Sequence, residues 1–209
     1  MNKLLAALSL VTLGSVGLLA AEKPVDVTED TSTATPIEVK PYVKWTCPTC
    51  SLNEQYVLKE LQVQANIYDK NSLATIMGNI KQESKFIPNI CEGGARVEYN
   101  QCHRGGYGLI QWTTESRYLG LGLFAKKYGC NPSTLECQTR YMINENQFQK
   151  VLPDFLAPGF PVKQYMVPAY YWLGWGVEGP RLKYSYDYTK SFISNDQETT
   201  QQTVQREEN

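Results

Sequence analysis

Histidine is all but missing: His103 is the single one among 209 residues. That excludes zinc sites built on paired histidines, and any nucleophile–His–acid triad that does not use this residue. An excess of one charge is missing too. Twenty Lys and Arg stand against 21 Asp and Glu, for a formal net charge of −1, so there is no electrostatic footprint for nucleic acid. Long apolar runs are confined to the first 21 residues. What is present is an ordinary globular balance, 42% hydrophobic and 20% charged, with 6 Cys, 14 Tyr and 4 Trp. The profile predicts one disulfide-braced, aromatic-rich domain with tails, needing no metal and no cofactor.

Residues 1–21, MNKLLAALSLVTLGSVGLLAA, place Lys3 before an apolar stretch that ends in small residues. This is the layout of a secretory signal cleaved after Ala20 or Ala21, with an uncleaved signal-anchor as the alternative. Membrane contact is expected only through this segment. Six cysteines in an exported chain predict three disulfides, in the periplasm, outside the cell or on a virion. Spacing pairs Cys91 with Cys102 and Cys130 with Cys137, which leaves Cys47-Pro-Thr-Cys50 as a structural bridge. Residues 22–46 are rich in Thr, Pro and charge and read as an extended linker. Residues 193–209 are polar with nothing to bury and read as a disordered tail. The folded domain is therefore expected over 47–192.

Within it the periods are mostly helical. A first helix is expected over Asn53–Tyr68, and Ser72 is the expected N-cap of a second. In that second helix Leu73, Ile76, Met77 and Ile80 define one buried face. Pro88, Gly93 and Gly94 then break the pattern, and Arg96–Trp112 reads as a short β-ribbon. Further helices are expected from Thr113 or Thr114 to Tyr128, from Leu135 to Val151 and from Pro168 to Ser191. The class is α+β, mainly helical with a small central β-ribbon.

Glu83 is the sharpest chemical candidate. It lies at the edge of the second helix's apolar face, near its C-terminal end, where the helix dipole and partial burial both disfavour a carboxylate. A carboxylic acid kept protonated near neutral pH is what protonates a glycosidic oxygen. Downstream, Gly105-Gly-Tyr107-Gly108-Leu-Ile-Gln111-Trp112 offers an amide for an N-acetyl group and aromatic faces for sugar rings.

Glu83-Ser-x-Phe-x-Pro88, then Gly108-Leu-x-Gln111-Trp112-Thr, Arg117, Phe124-Ala, Tyr128-Gly129 and Gln138…Glu145 resemble the lysozyme-like superfamily. Among its members they are most similar to phage tail lysozymes. The resemblance implies a lysozyme-like fold and cleavage of the β-1,4 bond between N-acetylmuramic acid and N-acetylglucosamine, with peptidoglycan and other virion proteins as partners. It implies that Glu83 is the catalytic acid and that Gln111 lines the saccharide cleft. Tyr107, Gly108 and Trp112 belong with it as substrate-binding candidates. Trp175-Gly-x-Glu-Gly-x-Arg181, with Tyr184 and Tyr188, looks like the closing helix of such enzymes and is read as core packing. Lys85 departs from the pattern: beside Glu83 it would hold the acid ionised unless it points to solvent.

Either glycosidase geometry needs a second carboxylate, and Glu98 on the ribbon is preferred over Glu92 and Asp154. A lytic transglycosylase would need only one. Two readings from other classes remain: a Cys–His wall peptidase or amidase using His103 with a free thiol, and a non-catalytic wall-binding virion module.

Overall fold

A computed structural model describes residues 44–195. The expected leader and nearly all of the expected linker and tail lie outside these residues. Among the described residues are seven α-helices and one two-stranded sheet, so the mainly helical α+β class holds. None of these helices is long and apolar enough to cross a membrane.

Each helix starts and stops for local reasons. Helix α1 (Leu52–Gln64) opens on a capping box, the Ser51 hydroxyl accepting from the Glu54 N–H while the Glu54 carboxylate accepts from the Ser51 N–H. Helix α2 (Lys70–Ser84) is capped by Asp69, whose carboxylate accepts from the Ser72 N–H at 2.9 Å. The expected cap, Ser72, instead lies inside the first turn and donates its hydroxyl to the Phe155 carbonyl. The predicted buried face is correct, with Leu73, Ile76, Met77 and Ile80 fully covered. Helix α3 (Glu115–Tyr128) follows Thr114 and ends on Gly129 at φ 65°.

Two expected single helices are pairs. The Leu135–Val151 segment is α4 (Leu135–Asn144) and α5 (Asn146–Leu156), broken at Glu145, whose backbone is extended. The last segment is α6 (Val162–Leu173) and α7 (Arg181–Ser191), separated by an exposed, glycine-bearing loop over 174–180.

The β structure also lies elsewhere than expected. Strand β1 (Trp45–Thr46) pairs antiparallel with β2 (Ile193–Ser194), joining the two ends of the described chain. The central stretch carries only isolated bridges, Ile90–Arg96, Cys91–Tyr107 and Tyr107–Trp112. A short 3₁₀ turn, Tyr99–Gln101, interrupts it. Two disulfides brace this irregular region and the turn before α4: Cys91–Cys102 and Cys130–Cys137. The third, Cys47–Cys50, lies beside β1. All three pairings are those that spacing predicted.

Helix α2 is the hub and packs against α1, α6 and α7. Its closest approach is to α7, at Gly78. A Cβ built there would lie 2.5 Å from the Ser185 backbone nitrogen and 2.8 Å from its Cα. Only a residue without a side chain lets α7 come this near. The approach matters for the site, because Glu83 follows Gly78 by five positions along α2 and Arg181 precedes Ser185 by four along α7.

Candidate active site

Glu83 is the penultimate residue of α2. The chain leaves the helix through two consecutive left-handed residues, Lys85 at φ 54° and Phe86 at φ 61°. Neither is glycine, so the turn is strained and must be held from outside. Three contacts hold it. The Ser84 hydroxyl donates to the Leu109 carbonyl at 2.7 Å. The Phe86 ring is buried and meets Tyr188 of α7 edge-on. The Phe86 carbonyl accepts from the Asn53 amide of α1 at 2.9 Å. The Ser and Phe of the Glu83-Ser-x-Phe motif are therefore what fix the end of the helix on which Glu83 stands.

The cation at Glu83 is Arg181, whose guanidinium donates to the carboxylate. Lys85, the expected neighbour, reaches instead to Tyr184, with its Nζ 3.3 Å from the phenol oxygen and 4.6 Å from the ring centre. Both partners of the ion pair are mostly covered, with side-chain exposures of 16% for Glu83 and 5% for Arg181. Burial pushes the Glu83 carboxyl up. The Arg181 charge and hydrogen bond, and more weakly the Arg117 charge, pull it down, and the net position is above the ordinary carboxylate range. Arg181 is in turn held by the Val177 and Glu178 carbonyls, at 3.2 and 2.9 Å, and lies 4.7 Å over the Trp175 ring. A cation in the first turn of a helix opposes the helix dipole, and here the facing Glu83 carboxyl, the two carbonyls and the indole ring offset that.

A second buried carboxylate, Glu145, sits at the α4–α5 break. Arg117 of α3 grips it with two N–H groups, at 2.6 and 3.0 Å, and the indoles of Trp112 and Trp172 each donate to it at 3.2 Å. Four donors satisfy this carboxylate fully, so it joins the helices and is not available as an acid or base. Gln138, also fully buried, ties three loops together. Its carbonyl accepts from the Leu109 N–H, and its amide donates to the Pro88 and Pro132 carbonyls, all at 2.7 Å. The Gly108 position leaves room for this: a Cβ there would lie 2.4 Å from the Gln138 amide oxygen.

The structure places the remaining sequence candidates as follows. Trp112 and Tyr107 are fully buried, and the Tyr107 hydroxyl is engaged with the Val97 carbonyl and the Ser133 hydroxyl. Their rings face protein, packed on Tyr99, Tyr118 and Tyr141, and present no open face to a sugar. Gln111, at φ 52°, spends its amide N–H₂ on the Ile90 and Gly108 carbonyls, at 3.3 and 3.0 Å. Glu98 is not on a strand but is the exposed N-cap of the 3₁₀ turn. Glu92 accepts from the Gly106 N–H at 2.9 Å, and Asp154 is exposed on α5. No free cysteine remains, since all six are paired, and the Cys–His reading loses its nucleophile.

The pairing of Arg117 with Glu145 is not visible in the sequence motif that holds both, and the Trp175–Arg181 segment, expected as core packing, instead carries the arginine that faces Glu83. One signal was present: an arginine directly after Gly179-Pro180 at a helix start asks for an anionic partner.

A family model described as phage tail lysozyme matches residues 53–204. No curated protein and no solved structure matches the chain.

Proposed function

The chain belongs to the phage tail lysozyme family, and on that footing we propose that it cleaves the β-1,4 bond between N-acetylmuramic acid and N-acetylglucosamine, with Glu83 as general acid. Family membership makes it a lysozyme-like peptidoglycan hydrolase; the bond and the residue are our reading. One observation carries it: Glu83 is a mostly buried carboxyl at a helix C-terminus whose proton affinity burial raises. Such a group gives up its proton where a leaving-group oxygen needs it.

Arg181 sets the order of events. Its guanidinium donates to the carboxyl whose proton affinity burial raises, so donation of the Glu83 proton to the leaving-group oxygen requires this contact to loosen as substrate arrives and water leaves. Gln111, its N–H₂ already spent, offers substrate its amide carbonyl. Glu98, exposed at the start of the 3₁₀ turn, is the candidate second carboxylate, and the four donors on Glu145 argue against that residue. The virion or cell wall is the place of action, and the three disulfides suit an oxidising compartment.

The test is a Glu83→Gln variant, checked for native circular dichroism and then assayed on peptidoglycan. The expected loss is about 10²–10⁴-fold in rate, the usual worth of a general acid. Unchanged activity removes Glu83 from the mechanism. Mass spectrometry of muropeptides released by the parent separates hydrolysis from transglycosylation: a reducing end supports the hydrolase, an anhydro end the transglycosylase.

A further inference from the structure

Beyond Arg181 the same contacts continue to the surface. Trp175, under the Arg181 guanidinium, meets Tyr170 edge-on, with ring centres 5.3 Å apart and an interplanar angle of 83°. Tyr170 meets Tyr171 in the same manner, at 5.7 Å and 71°. Tyr170 and Tyr171 close α6 with 47% and 64% of their surfaces exposed. Single exposed aromatics are commonplace, but a contiguous row leading away from a candidate acid is not. The row also has a polar flank. The Tyr171 carbonyl accepts from the Gln147 amide at 2.6 Å. Gln147 in turn lines a cavity of about 430 Å³ with Ser116, Arg117, Asn144 and Asn146.

We propose that Tyr170, Tyr171 and Trp175 form a stepped aromatic platform, each ring set steeply to the next, against which successive sugar rings of the glycan strand pack as it leads to Glu83. The proposal rests on the glycosidase reading and names the surface that binds its substrate. Pyranose rings present flat C–H faces edged by hydroxyl and acetamide groups. Aromatic faces cover the former, and amide and hydroxyl side chains such as Gln147, Asn146 and Ser116 satisfy the latter. A purely apolar partner would leave those polar groups unpaired, so the mixture favours a saccharide. Trp175 links binding to chemistry, since one ring touches both the platform and the arginine that holds Glu83. A strand settling on Tyr170 and Trp175 therefore presses on the residue whose release arms the acid.

Binding is measured in the Glu83→Gln background, which prevents turnover. The probes are purified peptidoglycan sacculi, read by co-sedimentation, and soluble β-1,4-linked N-acetylglucosamine oligomers, read by tryptophan fluorescence. Tyr171→Ala and the Tyr170→Ala/Tyr171→Ala pair alter exposed side chains, so the fold should survive, and circular dichroism checks this. The expected result is a loss of affinity of about tenfold for the pair, the scale of one lost ring contact with its area. Leu52→Ala, at an exposed apolar residue of α1, should bind as the parent does. Equal binding by the platform variants overturns the proposal, as does a parent that binds neither probe. Activity of the single Glu83→Gln variant on the wall is a separate readout. Its persistence removes Glu83 as the acid, whereas unchanged binding by the platform variants while Glu83→Gln is inactive sinks only the platform.

Discussion

At the scale of single residues, the two charges of the Glu83–Arg181 pair ask for opposite things. Burial favours the neutral acid, while the guanidinium against it favours the carboxylate. An acid catalyst must be protonated when it acts, so Arg181 restrains Glu83 and orients it at once. Replacing Arg181 with Gln removes the largest influence that lowers the Glu83 pKa, and the proton is then held to higher pH. The alkaline limb of the pH–rate profile, which reports loss of that proton, should move upward relative to the parent. The maximal rate should fall, because the carboxyl is no longer fixed in place. Arg181→Lys should restore part of the position of the limb, since it returns the charge without the fork. A limb that stays in place in both variants would show that another group sets it.

At the scale of elements, the site exists because α7 lies close on α2, and that closeness rests on Gly78. A methyl group at this position must displace the Ser185 backbone, which has no flexible side-chain end to yield. Overpacking of this kind costs about 1–3 kcal/mol. Gly78→Ala should lower the thermal midpoint accordingly, and it should depress activity beyond what the loss of folded protein explains, because Arg181 is carried away from Glu83. Activity per folded molecule equal to the parent's would show that the two helices can separate without disturbing the pair.

The same helix pair shows what was legible in the sequence. The buried face of α2 and the position of Glu83 follow from a period of 3.6 residues and from Pro88, both local signals. The break at Glu145 does not, because the apolar spacing runs on across it, whereas the break at 174–180 is marked locally by Gly174, Gly176, Gly179 and Pro180. What stops the helix at Glu145 is a carboxylate drawn inward by Arg117 and two indoles that are distant in the chain. The β-ribbon expected over Arg96–Trp112 failed for a related reason. Its alternating residues are satisfied by side-chain bonds to Gln138 and Ser133 and by the Cys91–Cys102 disulfide, so no ladder is required.

At the scale of the whole molecule, two carboxylates on the same group of helices give the pH dependence of stability opposite slopes. Glu54 of α1 bonds the Tyr188 hydroxyl of α7 and the Lys81 ammonium of α2 and caps its own helix, so it ties three helices together. Burial alone would raise its pKa. The Tyr188 bond, the Ser51 cap and Lys81 outweigh that, and the pKa lies below the ordinary glutamate value of 4.5. The unfolded chain therefore binds the Glu54 proton first as pH falls. The stability this residue confers is complete above about 4.5 and is lost as pH drops toward its folded value. Glu83 has the reverse sign. Its folded pKa lies above 4.5, so the unfolded chain gives up that proton first as pH rises, and stability declines upward from about 4.5 until the folded group ionises. Thermal midpoints measured across pH should therefore show a rise on the acid side that Glu54→Gln flattens and a decline on the other side that Glu83→Gln flattens. Each variant should leave the opposite limb in place, apart from the offset from stranding Tyr188 or Arg181, which does not vary with pH. Parallel curves for all three proteins would mean that neither carboxylate changes its proton affinity on folding, and with that the physical basis for Glu83 as a poised acid would be gone.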